Sequence, residues 1–251
     1  MSDDKPGRLV VLSGPSCVGK SPLDRALGRF HPELRNRLRK LVLYNSRFPR
    51  PGEADGVDYH FRTTTQVEAL RADNRKIVLD VRGDLQAVDL QELGRLLAHA
   101  DAFFEGNPFV GLTLLTHPRL AQVERLGVFL APLSREEILY LKAPERNVSF
   151  PALVTDIMRR KLLRRTRRQK VELSAKDLEN IETRASSAYA ELKDAWRFRY
   201  VIPNHDGEDS DNWEGFYYLI GDARKSLNAF AALLEGRDSP DVEVWEEGLV
   251  P

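Results

Sequence analysis

Eight residues near the amino end, Gly14-Pro-Ser-Cys-Val-Gly19-Lys20-Ser21, constrain this chain more than any other segment. They follow Arg8-Leu-Val-Val-Leu-Ser13, a short apolar run bounded by Gly7 and Gly14 that suits a strand buried on both faces. Pro22 fits the first turn of a helix, so the spacing predicts strand, loop and then a helix to about Phe30 with its positive end toward an anion. Gly14 and Gly19 free the main chain of Ser16, Cys17 and Val18 to turn its N–H groups around phosphate oxygens. Lys20 can reach the outer phosphates, and the Ser21 hydroxyl can ligate a phosphate-bound Mg²⁺. Cys17 reads as a small residue at a free position, since no His or second Cys lies nearby to make it reactive.

Composition narrows the class. The 251 residues are enough for one or two domains with a sizeable core, and 42% hydrophobic with 30% charged residues is globular. The 38 Lys+Arg balance 38 Asp+Glu, so no overall field draws the chain onto nucleic acid or an anionic membrane, and any attraction for anions is local. One Cys closes no intramolecular bridge, and no Cys/His cluster has zinc spacing. The start, Met1-Ser-Asp-Asp-Lys-Pro6, has no basic leader, and Leu9–Leu12 is far short of the ~18 residues of a membrane span. The expectation is a soluble, cytoplasmic protein, monomeric or homodimeric.

Further apolar runs predict strands at Lys40–Tyr44, Lys76–Val81, Ala102–Phe104, Val128–Ala131 and Arg199–Ile202. Helical patterns lie between them at Gln66–Asp73, Leu90–His99 and Arg135–Leu141, which argues for a parallel sheet covered by helices. Thr65/Glu68, Ser134/Glu137 and Ser174/Asp177 have capping-box spacing, and the last opens a long helical stretch to about Ala195. From Glu235 to Pro251 the chain turns acidic and loses periodicity, predicting a tail that is weakly ordered or docks on the surface.

A second constellation is Arg47-x-x-Arg50-x-Gly52-Glu53-x-x-Gly56-x-Asp58-Tyr59-x-Phe61. Two arginines three apart, stiffened by Pro49 and Pro51, suit bidentate capture of a phosphate. Glu53 and Tyr59 follow within reach of the same ligand, and a carboxylate can accept from the amino and ring N–H edge of guanine.

With both segments in view, the chain resembles the guanylate kinase family over roughly residues 8–234. The resemblance implies an α/β fold: a P-loop NTPase core with a central parallel sheet flanked by helices, an inserted nucleotide-monophosphate-binding domain and a helical lid. It places core at 1–42, 89–133 and 196–234, the GMP-binding domain at 43–88, the lid and its helices at 134–195, and a tail at 235–251. It implies transfer of the γ-phosphoryl group of ATP to GMP with Mg²⁺. By the same resemblance Arg47, Arg50, Glu53 and Tyr59 would sit at the GMP phosphate, with Asp80 reading guanine. Lys20 with lid arginines Arg184 and Arg168 would serve catalysis, Asn204 would lie near adenine, and Ser21 with Glu105 would place the metal. The chain departs from the family pattern in three places. Leu43-Tyr44-Asn45 stands before Ser46 where small hydroxyl residues are usual, Arg82–Gln86 replaces a Gly-Asn-Tyr-Tyr-Gly stretch, and Phe104-Glu105-Gly-Asn107 keeps one carboxylate. Two alternatives stay open: a catalytically silent module binding phosphopeptides or acidic partners, and a kinase of the same fold with another phosphorylated acceptor.

Arg159–Lys170 holds eight basic residues in twelve. It reads either as a helix face neutralised by the acidic stretch Asp206–Glu214 or as a phosphate-facing lid surface. No aromatic residue interleaves it, which argues against nucleic acid. Trp196, Trp213 and Trp245 read as packing groups.

Overall fold

The computed structural model describes residues 6–50 and 52–251. Pro51 and the start of the chain at 1–5, both used above, lie outside the described residues. In chain order the elements begin with β1 (Leu9–Ser13), α1 (Lys20–Phe30), α2 (Pro32–Arg35), β2 (Leu38–Lys40), β3 (Tyr44–Asn45), β4 (His60–Phe61) and α3 (Thr64–Ala69). There follow β5 (Lys76–Val81), β6 (Asp84–Asp89), α4 (Leu90–Leu97), β7 (Asp101–Gly106), α5 (Pro108–Thr116), β8 (Arg125–Ala131) and α6 (Arg135–Leu141). The chain continues through α7 (Phe150–Gln169), α8 (Ala175–Ser186), α9 (Ala188–Lys193), β9 (Tyr200–Pro203) and α10 (Gly221–Leu234). The result is α/β, with a five-stranded sheet in the order β2-β7-β1-β8-β9, parallel at β2·β7 and β8·β9, and a four-stranded sheet β4-β3-β6-β5.

Two compact units divide the chain. One holds the described residues of Met1–Val11, Arg37–Phe104 and Thr113–Leu126, the other Leu12–Asn36, Glu105–Leu112 and Gly127–Pro251. In the first, β5 and β6 form a hairpin whose two loop residues, Arg82 and Gly83, have φ of 57° and 86°. Positive φ at both central positions matches the right-handed twist of the flanking strands. Val67 of α3 packs on Leu85 and Ala87 of β6, with Tyr44, Leu70 and Val78 around them. In the second unit β8 is buried from Gly127 to Ala131, and α10 buries nine of its side chains.

Several local expectations are corrected. The run Lys40–Tyr44 is not one strand: Leu41 N–H bonds the Phe103 carbonyl, whereas the Leu43 carbonyl accepts from His60, so the run leaves one sheet and enters the other. A continuous apolar stretch carries no periodicity with which to mark such a crossing. The capping box before α3 uses Thr63 and Gln66, not Thr65 and Glu68, whereas Ser134/Glu137 and Ser174/Asp177 form as spaced. The stretch Ala175–Ala195 breaks at Ser187 into α8 and α9.

The tail is packed. Glu243 pairs antiparallel with Val201, Trp245, Leu249 and Val250 are buried, Arg135 bonds Glu246, and Lys142 donates to the carbonyls of Gly248 and Leu249. Among the described residues no helix is long and apolar enough to cross a membrane.

Candidate functional site

The loop between β1 and α1 is shaped by backbone. Gly14 and Gly19 have φ of 147° and 106°, where a side chain is strained. Space is also lacking: a Cβ on Gly14 would lie 2.4 Å from the Leu130 carbonyl oxygen, and one on Gly19 2.5 Å from Asn204 Nδ2. Cys17 adopts φ of 70° and is buried. Burial, with the carboxylate of Glu208 adding to it, pushes its thiol far above the ordinary range, so it is no nucleophile. Lys20 is buried and its Nζ donates to the Gly14 and Pro15 carbonyls at 2.8 Å each, which holds the ammonium along the loop. Ser21 Oγ donates to Glu105 Oε1 at 2.7 Å. Burial raises the Glu105 carboxyl, with the Ser21 hydrogen bond and the Lys20 charge pulling the other way.

The segment after β9 braces this loop. Asn204 is fully buried, donates to the Val18 and Asp206 carbonyls at 2.7 Å each and accepts from the Asp206 N–H. Its amide therefore braces the loop. Of the two arginines assigned to catalysis, Arg184 reaches the loop, its Nε donating to Ser16 Oγ at 3.1 Å. Arg168 instead pairs with Asp211 at 3.1 Å. Its neighbour Arg165, not singled out from sequence, lies close enough to Cys17 for its charge to act on the thiol. Most of the basic run is paired: Arg159 with Glu182, Arg160 with Asp156, Arg164 with Asp209, Lys170 with Asp177.

In the other unit the arginine segment forms a knot of side chains. Arg47 grips Glu53 through two bonds of 2.6 and 2.7 Å, and Glu53 also accepts from the Arg50 N–H at 2.8 Å. The guanidinium lies 5.1 Å from the Tyr59 ring centre and 5.4 Å from that of Phe61. Burial opposes the charge of both partners, but their mutual bonds outweigh it, so Arg47 is raised and Glu53 lowered from their usual values. Glu53 thus orients Arg47 and the Arg50 backbone. Arg50 is exposed.

Asp80 lies at the end of β5. In β5·β6 it pairs with Leu85, and directly paired residues share a face, so Asp80 lies on the side covered by α3; its carboxylate accepts from the Gly83 N–H at 3.2 Å. Asp84 and Gln86 alternate to the opposite side with Asn45, and the charge of Asp84 acts on Arg47. Recognising Arg82-Gly83 as the hairpin turn would have shown this parity in the sequence.

The family model for guanylate kinase matches residues 6–80, which include the Gly14–Ser21 loop and the Arg47–Phe61 segment. A guanylate kinase of Mycolicibacterium paratuberculosis is 34% identical over 197 residues, covering 74% of this chain and 79% of that protein. That of Mycobacterium leprae is 34% identical, with 74% and 84% covered. The chain belongs to the guanylate kinase family. For the fold, the crystal structure of guanylate kinase from Anaplasma phagocytophilum matches with a TM-score of 0.54 at 17% identity, covering 92% of this chain and 86% of that one. Within the guanylate kinase family, the alternatives of a silent phosphopeptide module or another acceptor find no support in these relatives.

Proposed function

We infer that this chain catalyses ATP + GMP → ADP + GDP. The observation that carries the reading is a complete phosphate cradle, Gly14–Ser21 with Lys20 held along it, in a chain that also builds the Arg47–Glu53 clamp. A cradle for a triphosphate has no use in a scaffold, and a second, separately built anion site calls for a second phosphorylated molecule.

In this reading the loop N–H groups and Lys20 hold the ATP phosphates, and Arg184, beside Ser16, faces the transferring group. Arg47, oriented by Glu53 and packed against Tyr59, and Arg50 hold the GMP phosphate. Asp84, in place of Asp80, is the acid offered to the base. Ser21 and Glu105 present hard oxygen donors 2.7 Å apart, a set that suits Mg²⁺ held jointly with phosphates, and the half-buried Glu105 carboxylate gains a counter-charge. When bound, Mg²⁺ screens charge on the phosphates. No side chain need become covalently modified, because positioning and charge screening supply the rate. The protein works where both nucleotides are found, in the cytoplasm, as a monomer or homodimer.

A coupled assay for ADP with GMP, dGMP, AMP, UMP and a ribose bisphosphate as acceptors tests the reading. GMP-dependent ADP release is expected; release with another acceptor only, or with none, contradicts it.

A further inference from the structure

The segment 204–213 after β9 touches two things at once. On one side it grips the phosphate loop at three successive residues. Asn204 Nδ2 donates to the Val18 carbonyl, a Cβ on Gly207 would lie 2.2 Å from the Cys17 carbonyl oxygen, and Trp213 Cζ2 would be 3.2 Å from a Cβ on Gly19. Trp213 is 4% exposed, and its Nε1–H is shared by the Asp206 and Gly207 carbonyls at 2.8 and 3.1 Å, locking the turn onto the loop.

On the other side it is gripped by α7. Lys161, 8% exposed, donates to the His205 carbonyl and stands 3.9 Å from Asp209 Oδ1, whose residue is 6% exposed. Arg164 and Arg168, one and two turns on, reach Asp209 and Asp211. A buried ammonium is costly unless it is held by acceptors, so Lys161 fixes the segment to the helix more firmly than an exposed pair could.

Between these grips the segment is stiff. The Asp206 carboxylate accepts from Ser210 Oγ, Asn212 Nδ2 and the Ala223 N–H that opens α10. Packed contacts with no room for a Cβ leave little slack in which a displacement at one end could be absorbed.

We propose that segment 204–213 is a strut carrying the position of α7 to the phosphate loop, with Lys161 and Trp213 as positioning residues at its two ends. The loop then holds ATP well only while both grips are made. This rests on the reading of Gly14–Ser21 as the ATP site and adds to it a dependence on α7.

The test is a double-mutant cycle in the full chain, with Mg²⁺·ATP and GMP binding measured separately by calorimetry for wild type, Lys161→Met, Trp213→Phe and the pair. Trp213→Phe keeps a ring against Gly19 and removes the shared donor. Each single variant is expected to weaken ATP binding about tenfold and to leave GMP binding within about twofold, and the pair to be no weaker than about one single. Additive losses of about a hundredfold, or single variants that lose melting temperature but keep ATP affinity, overturn the strut. Hydrogen exchange on wild type, which needs no variant to fold, supplies the second measurement. An ATP analogue should slow exchange across 204–213 together with 14–21, and slowing confined to 14–21 overturns the proposal. Wild type that binds no ATP would sink the functional reading itself, whereas wild type that binds with unresponsive variants sinks the strut alone.

Discussion

On the proposed reading the phosphate loop and the arginine clamp each take a phosphate, and they are built in opposite ways. The loop is main chain: its donors are backbone N–H groups, its shape is set by glycine φ values, and its cation is buried against its own carbonyls. The clamp is side chain: a guanidinium held by a carboxylate and two rings, beside an exposed second arginine. A backbone site tolerates almost no change at its glycines and is readable from a short motif. A side-chain site depends on partners that sequence spacing names without saying which of them face the ligand.

The largest effect should come from Lys20→Ala. Loss of a charge preorganised at the phosphates predicts a fall in kcat of about a thousandfold, with GMP affinity kept. Unchanged turnover would remove the loop from the mechanism.

Next is a matched pair of glycines. Gly19→Ala combines positive φ with a Cβ 2.5 Å from Asn204 Nδ2, whereas Gly52, at φ 86°, has nothing within 4 Å. Denaturant melts should show a loss of about 3 kcal/mol or more for the first and about 1 kcal/mol for Gly52→Ala. Equal losses would mean that the crowding at Gly19 carries no weight.

Glu53→Gln comes third. It keeps shape and removes the paired charge, so KM for GMP should rise about tenfold while KM for ATP holds. A kcat loss with no change in KM would place Glu53 at the reaction and not behind Arg47.

The smallest effect is in pH, and there the two units should differ in sign. Glu53 is lowered in the fold, so its stabilisation is present above the unfolded value and is lost as pH falls through the folded one. Burial opposes the charge on His205, but Asp222 at 2.5 Å and Glu137 at 2.9 Å outweigh it and raise the ring. Its contribution is therefore full below 6.5 and is lost as pH rises through the folded value. Both sites are partly exposed, so each is worth about 1 kcal/mol or less. Melting curves should show the gap between wild type and Glu53→Gln closing in acid, and the gap to His205→Gln closing in alkali. Gaps that stay constant with pH would mean that neither group is coupled to folding.

The difference between the regions also explains what could be read before the structure. Strand, loop and helix at 9–30 were legible because glycine, proline and lysine each have a backbone reason for their place. The Arg47–Phe61 spacing was legible as a set, but not the division of labour within it: Glu53 turned out to face Arg47, since either role asks for a carboxylate at that position. The two-residue turn at Arg82-Gly83 sets Asp80 and Asp84 on opposite faces, a parity that the apolar run 76–81 alone does not mark. In sequence, 206–214 reads as an acidic stretch, with Asn204 expected near adenine and Trp213 as a packing group. Its contacts depend on Gly207 and Trp213 meeting residues almost two hundred positions away, and no local pattern encodes such a meeting.

The central claim is that two separately built sites each take one nucleotide, and crossed calorimetry tests it most directly. GMP should bind Lys20→Ala as it binds wild type, at one per chain, and fail to bind Arg47→Ala. A non-hydrolysable ATP analogue should show the reverse. If either variant loses both ligands, or GMP binding survives Arg47→Ala, the account of two independent anion sites is wrong.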